Sequence, residues 1–184
     1  MKKIMIFVLM VLVVWLAVYK LLPKKTKQIV PGKNEIVDKN EFSILLPNGW
    51  REVDPLAEGV MMSAIDNKIS EDKKAKERNY RTNLNITFDK LEEKTVEEYT
   101  KFLQEEIKKI IAGVNFENEK ENGFEAEVNQ EGIDFKSKVA IYQGKQGDVW
   151  TISFNTTKSE WPKYSIIFNE ILKNFSVKNN DKQI

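Results

Sequence analysis

The side chains on which this chain could run chemistry are carboxylates, lysines, tyrosines, serines and threonines. Its 184 residues include no histidine and no cysteine. That excludes Ser–His–Asp and Cys–His catalysis, zinc held by Cys or His, haem or iron–sulfur ligation through those residues, and a disulfide framework. Glu117, Glu119 and Glu121 form an acidic stretch of the type that holds a hard cation weakly. It lacks the Asp-x-Asp-x-Asp-Gly spacing of a calcium loop and reads as a solvated acidic edge. Glu125 and Glu127 alternate with Phe124, Ala126 and Val128, the pattern of a half-exposed strand. Gly49 and Gly147 stand in turn sequences, and no Gly-rich loop leads into Lys-Ser or Lys-Thr to cradle a phosphate. The expectation is no catalytic residue, no metal and no cofactor. A carboxylate-based hydrolase is the enzyme alternative, and it requires two acids converging in a pocket.

Two features point to binding instead. Residues 73–81 (KKAKERNYR) carry Lys73, Lys74, Lys76, Arg78 and Arg81 against one acid, Glu77. Such a patch suits an acidic partner or anionic lipid headgroups, and the plainer reading is a charged loop in solvent. Core or rim packing is the plainer reading of Trp50, Trp150 and Trp161; of the three, Trp150 is expected to be the one that faces outward and the best single contact residue, since Trp50 follows a turn and Trp161 opens a helix. A cleft beside Trp150 would make the chain a carrier of a small ligand or ion. Asn85-Ile-Thr87 and Asn155-Thr-Thr157 match the glycosylation triplet, but both fall on predicted strands and are discounted.

The elements that must position these residues follow from periodicity. Strands are predicted at 42–46, 59–65, 84–88, 114–116, 124–128, 135–142 and 149–154. The turn Gln143-Gly-Lys-Gln-Gly147 joins the last two as a hairpin. Thr95 and Glu98 fit a capping box opening a helix with the stripe Val96, Tyr99, Phe102, Leu103, Ile107, Ile110 and Ile111, closed by Gly113. Ser159 is read as the cap of a second helix, whose stripe runs Trp161, Tyr164, Ile167, Phe168, Ile171, Leu172 and Phe175. Residues 66–81 show no core stripe and read as a long charged loop with at most a turn or two of exposed helix. The order β-β-β-α-β-β-β-β-α with hairpins predicts an α+β fold, a mainly antiparallel central sheet covered by helices.

The first 22 residues belong to a different class. Ile4 to Leu22 is apolar or aromatic except for Lys20, and 19 residues at about 1.5 Å each span about 28 Å, close to the thickness of a bilayer core. Trp15, Tyr19 and Lys20 suit the headgroup level, and Pro23 stops the helix. The stretch exceeds a usual signal-peptide core and has no small-x-small cleavage site after it, so 1–22 is read as a transmembrane signal-anchor helix. Residues 1–25 hold five lysines and no acid; removing those five from 29 basic residues leaves 24 against 28 acidic ones, a net of −4. A mildly acidic body on a basic stem argues against a nucleic-acid partner. Residues 23–40 read as a polar spacer, 41–178 as one domain and 179–184 as a frayed tail. The lysine-led start places the domain outside the cytoplasmic membrane, with the lipid bilayer and an unidentified protein as partners.

Phe42-Ser-Ile44-Leu-Leu-Pro47-Asn-Gly49-Trp50, then Asn85-Ile-Thr-Phe88 leading to Thr95-Val-Glu-Glu-Tyr99, then Val149-Trp-Thr-Ile-Ser-Phe154-Asn-Thr-Thr157 and Ile171-Leu-Lys-Asn-Phe175, taken in that order, resemble the PsbP-like superfamily. The resemblance covers roughly residues 41–177. It implies an α/β/α sandwich, exported or membrane-tethered, that binds other proteins and does no catalysis. The chain departs from many bacterial relatives in having no lipobox cysteine, and no family binding residue can be carried across.

Overall fold

In a computed structural model, residues 34–178 are described, apart from Leu56 and Glu58. The anchor read at 1–22, most of the spacer and the tail at 179–184 lie outside the described residues. Among the described residues, no helix is long and apolar enough to cross a membrane.

The strands are β1 (Glu35–Asp38), β2 (Phe42–Leu46), β3 (Trp50–Val53), β4 (Val60–Asp66), β5 (Asn83–Lys90), β6 (Asn115–Lys120), β7 (Gly123–Gln130), β8 (Ile133–Gln143), β9 (Asp148–Thr157) and β10 (Ser176–Val177). The helices are α1 (Lys73–Glu77), α2 (Val96–Ile110) and α3 (Trp161–Lys173). Seven strands form one sheet in the order β3-β4-β5-β9-β8-β7-β6, and β1-β2-β10 form a second. Every pairing is antiparallel. Two antiparallel meanders, β3–β5, with α1 in the connection between β4 and β5, and β6–β9, therefore meet side by side where β5 pairs with β9. This is the mixed α+β architecture that the periodicities predict.

The two long helices cover opposite faces, and alternation along the strands decides which. Leu84, Ile86, Trp150, Ile152 and Phe154 point to one face, where they bury Tyr164, Phe168 and Ile171 of α3 together with Phe42, Ile44 and Leu46 of β2. Phe124, Val139, Ile141 and Val149 point to the other, under Tyr99, Leu103 and Ile107 of α2. A smaller cluster on that second face joins Ala75 and Tyr80 to Val128, Ile133 and Phe135. At Gly123 the chain runs so close to β8 that a Cβ would stand 2.3 Å from the carbonyl oxygen of Val139, a separation that no side chain tolerates.

The capping box of α2 is present: the Thr95 side chain accepts from the Glu98 amide at 3.2 Å, and the Glu98 carboxylate accepts from the Thr95 amide at 2.8 Å. Thr95→Ala is expected to lower stability by about 1 kcal/mol, read as a shift in the urea midpoint at constant slope. Four expectations need correction. Glu35–Asp38, inside the predicted spacer, is a strand because it pairs with β2. The short helical turn expected within residues 66–81 is present as α1, capped by Asp72, but it is not wholly exposed: Ala75 is fully buried. Ile110 is exposed, since α2 turns it away from the sheet at its last residue. Ser159 does not cap α3; it stands in a 3-10 turn, and Glu160 is the flanking residue, with no side-chain cap.

Candidate functional site

The residues singled out as a contact surface are not brought together. Trp150 is 2% exposed, packed between Phe42 and Phe88 at centroid distances of 5.4 and 4.9 Å. The outward orientation expected for it is therefore wrong. β9 is the strand on which both meanders meet and is covered on both faces, so alternation there separates two interiors rather than core from solvent. The basic residues divide. Lys74 donates to the Gly132 carbonyl at 3.0 Å, Arg78 pairs with Glu131, and Arg81 donates to the carbonyls of Asp66 and Asn67. Lys73 and Lys76 stay exposed on α1. The segment is thus clamped to the β7–β8 turn and to the end of β4, and only part of its charge faces solvent.

Two of the three residues of the acidic stretch have partners within the fold, while Glu119 and Glu121 remain exposed. Glu117 accepts from Lys136 at 2.8 Å, and Glu119 accepts from Gln104 at 3.0 Å. Among the described residues, no three carboxylates converge as a metal site. Lys136, 8% exposed, is the centre of a charged ribbon on the α3 face. It donates to Glu127 at 2.9 Å, lies 3.4 Å from Glu125, and sits over the Trp161 ring at 5.2 Å. Lys158 bonds the second oxygen of Glu127 at 2.5 Å. Burial opposes the Lys136 charge, but hydrogen bonds and charge from Glu117 and Glu127 outweigh it and hold the ammonium well above its ordinary pKa. Burial likewise works against the Glu127 carboxylate, and the two lysines overcome it and draw that group below the usual carboxylate range.

Beyond this ribbon, an open cleft of about 600 Å³ separates the β6–β7 hairpin from the last turn of α3. Asn118, Glu119, Lys120 and Glu125 line one wall, and Lys138, Tyr142 and Leu172 the other. The Tyr142 hydroxyl donates to the Leu172 carbonyl at 3.3 Å and fixes the helix end to the sheet. Lys138 donates to Asn169 at 2.6 Å, and burial lowers its pKa. The cleft presents both signs of charge, amides and a phenol, a surface suited to an extended polar chain.

A second concavity lies on the opposite face, under the end of α2. Here the sheet carries a buried polar ladder. Ser63 donates to Asn85 at 2.7 Å, Asn155 donates to Asn83 at 3.0 Å, and Ser137 donates to Asn155 at 2.8 Å. Asn83 in turn donates to the Arg81 carbonyl at 3.1 Å. Beside the ladder is a chamber of about 40 Å³, with Ser137, Ser153 and Asn155 on its floor and Ile107, Ile111, Val114, Phe124, Ala126, Val128 and Val139 around it. The ladder and the cleft were both missed by sequence reasoning. The rows Asn83-x-Asn85-x-Thr87 and Thr151-x-Ser153-x-Asn155-x-Thr157 were the available signal for the ladder. Polar residues at every second position resemble a solvated face until a helix is known to cover it.

No family model matches the chain, and no curated protein matches it. Solved structures do. LpqN of Mycobacterium tuberculosis, described as involved in cell envelope biogenesis, is similar at a TM-score of 0.53 and 12% identity, over 79% of this chain and 91% of that one. At that identity the likeness establishes a shared fold. A cyanobacterial PsbP from Synechocystis sp. PCC 6803 is similar at a TM-score of 0.49 and 14% identity, over 85% of this chain and 99% of that one. A protein of unknown function from Pseudomonas aeruginosa, PA94, is similar at 0.46 and 11%, over 77% and 95%.

Proposed function

We propose that this chain is a PsbP-like, non-catalytic binding module, tethered to the cytoplasmic membrane by residues 4–22 and displayed on its outer side, that engages a protein partner through the cleft between the β6–β7 hairpin and α3. The cleft carries the reading: it is the largest concavity described above, and its walls are polar and of mixed charge. The tether rests on the apolar run and its flanks. The described part of the domain starts one residue before β1, so at most 12 residues, 23–34, separate the anchor from folded chain. At about 3.3 Å per residue that holds the domain within about 40 Å of the bilayer.

The test is site-specific photocrosslinking in native membranes. A photoreactive residue at Lys120 is expected to give one dominant adduct, and the same residue at Lys76 none. An adduct from Lys76 alone would overturn the cleft in favour of the exposed end of the basic segment. No adduct from either position would overturn the protein-binding reading. The tether is tested separately, by retention in the pellet after alkaline extraction. Release of full-mass protein would remove the anchor from the proposal.

A further inference from the structure

The chamber under α2 has a feature that packing alone does not explain. Ser153 is 3% exposed, its Oγ has no hydrogen-bond partner, and it lines the chamber. A buried hydroxyl left without a partner costs about 1–3 kcal/mol, so it calls for an occupant. Asn155 is half used: its oxygen accepts from Ser137 and its nitrogen donates to Asn83, which leaves one N–H and one lone pair. The free capacity of the floor is thus the Ser153 hydroxyl, donor and acceptor, the lone pairs of the Ser137 Oγ, whose proton goes to Asn155, and the remaining N–H and lone pair of Asn155.

Water fits this environment poorly. A chamber of about 40 Å³ has room for about three waters, each wanting two to four polar partners. The remaining seven lining residues are aliphatic or aromatic. A charged ligand fits no better, because no ionisable side chain lines the chamber and an ion there would be buried without a counter-charge. We infer that the chamber is a binding site for the head of a small neutral amphiphile, a primary carboxamide or an alcohol. Its carbonyl or hydroxyl oxygen accepts from Ser153, its N–H or O–H donates to Ser137, and its short aliphatic body runs toward Ile111, Val114 and Ala126, the half-buried residues of the lining. This site is on the opposite face of the sheet from the proposed protein-binding cleft and does not depend on it.

The experiment uses the full-length chain in lipid nanodiscs, isotope-labelled on serine and isoleucine, with backbone amide shifts as readout. Butyramide is expected to shift Ser153, Ile107 and Ile111 saturably. Butyrate, the same skeleton with a charge, is expected to leave them in place. Ser153→Ala is expected to weaken butyramide by about tenfold without moving the rest of the spectrum. Ser153→Val, which fills the space, is expected to abolish binding. If either variant disturbs the whole spectrum, the contrast between butyramide and butyrate on the unaltered chain decides. Equal binding of butyrate, no saturable shift with butyramide, or butyramide binding indifferent to a folded Ser153→Ala would each overturn the site and leave a water-filled defect.

Discussion

Lys136→Met is expected to lower the unfolding free energy by about 3–5 kcal/mol at neutral pH, far more than any exposed lysine of this chain. The cause is what remains behind. Glu117, Glu125 and Glu127 all stand within 3.4 Å of the Lys136 ammonium. Without it, three carboxylates share a partly buried ribbon with Lys158 beside Glu127 and Lys138 beside Glu125. The size of the loss follows from burial at the centre, since Glu125 and Glu127 keep only 15% and 16% of their side-chain surface exposed. Methionine keeps an unbranched apolar stem and removes the ammonium that sits over the Trp161 ring, so the variant separates the charge from the packing of the stem.

The pH dependence of that variant has a definite sign. In the unaltered chain the Glu127 pKa is depressed, so its contribution is present above the ordinary carboxylate range and is lost as pH falls through the folded value. The Lys136 pKa is raised, so its contribution is complete below the ordinary lysine value and is lost only as pH rises through the folded one. Between those limits the ribbon stabilises fully. In Lys136→Met the carboxylates repel one another, and protonation relieves them. The stability gap between the two proteins is therefore expected to be widest near neutrality and to narrow below about pH 4. Urea denaturation at a series of pH values measures it. A gap that stays constant down to acid would show that lost packing, not charge, is what the substitution removes.

The legible parts of this fold are those where one element meets one environment. The Thr95 box and the Tyr99, Leu103, Ile107 stripe could be read locally, because α2 has one face on the sheet and one in water. The 143–147 turn between β8 and β9 was equally local. β10 was not: its two residues are a strand only because Ser176 and Val177 meet Ser43 and Phe42, more than 130 positions away. β1 and β3 are four residues each, too short to show a period. Trp150 was misread for the same reason that the polar ladder was missed. A two-sided interior makes both parities of β9 buried, so Asn155, Ser153 and Trp150 are all inside while the alternation still looks amphipathic. The charged ribbon was half visible: Glu125 and Glu127 alternate as expected, but their partners are set by register with Lys138 and Lys136 across β7 and β8.

Phe168→Ala is the second large effect, an expected loss of about 3–5 kcal/mol. Phe168 has no exposed surface and stacks on Phe154 with centroids 4.4 Å apart. Trp161, Tyr164 and Trp50 surround it at 5.9, 6.0 and 6.4 Å. Truncation deletes the ring that joins α3 to β9 and leaves a cavity walled by rigid aromatic groups, which collapse poorly. Ile166, two residues earlier and 70% exposed, is the control: Ile166→Ala is expected to stay within about 0.5 kcal/mol. The consequence reaches the cleft, because its far wall is Leu172, one turn further along the same helix. Loosening α3 at Phe168 is therefore expected to weaken the photocrosslink from Lys120 at temperatures where the domain is still folded. If Phe168→Ala proved no more costly than Ile166→Ala, α3 would not be docked through this ring, and the wall it gives the cleft would lose its support.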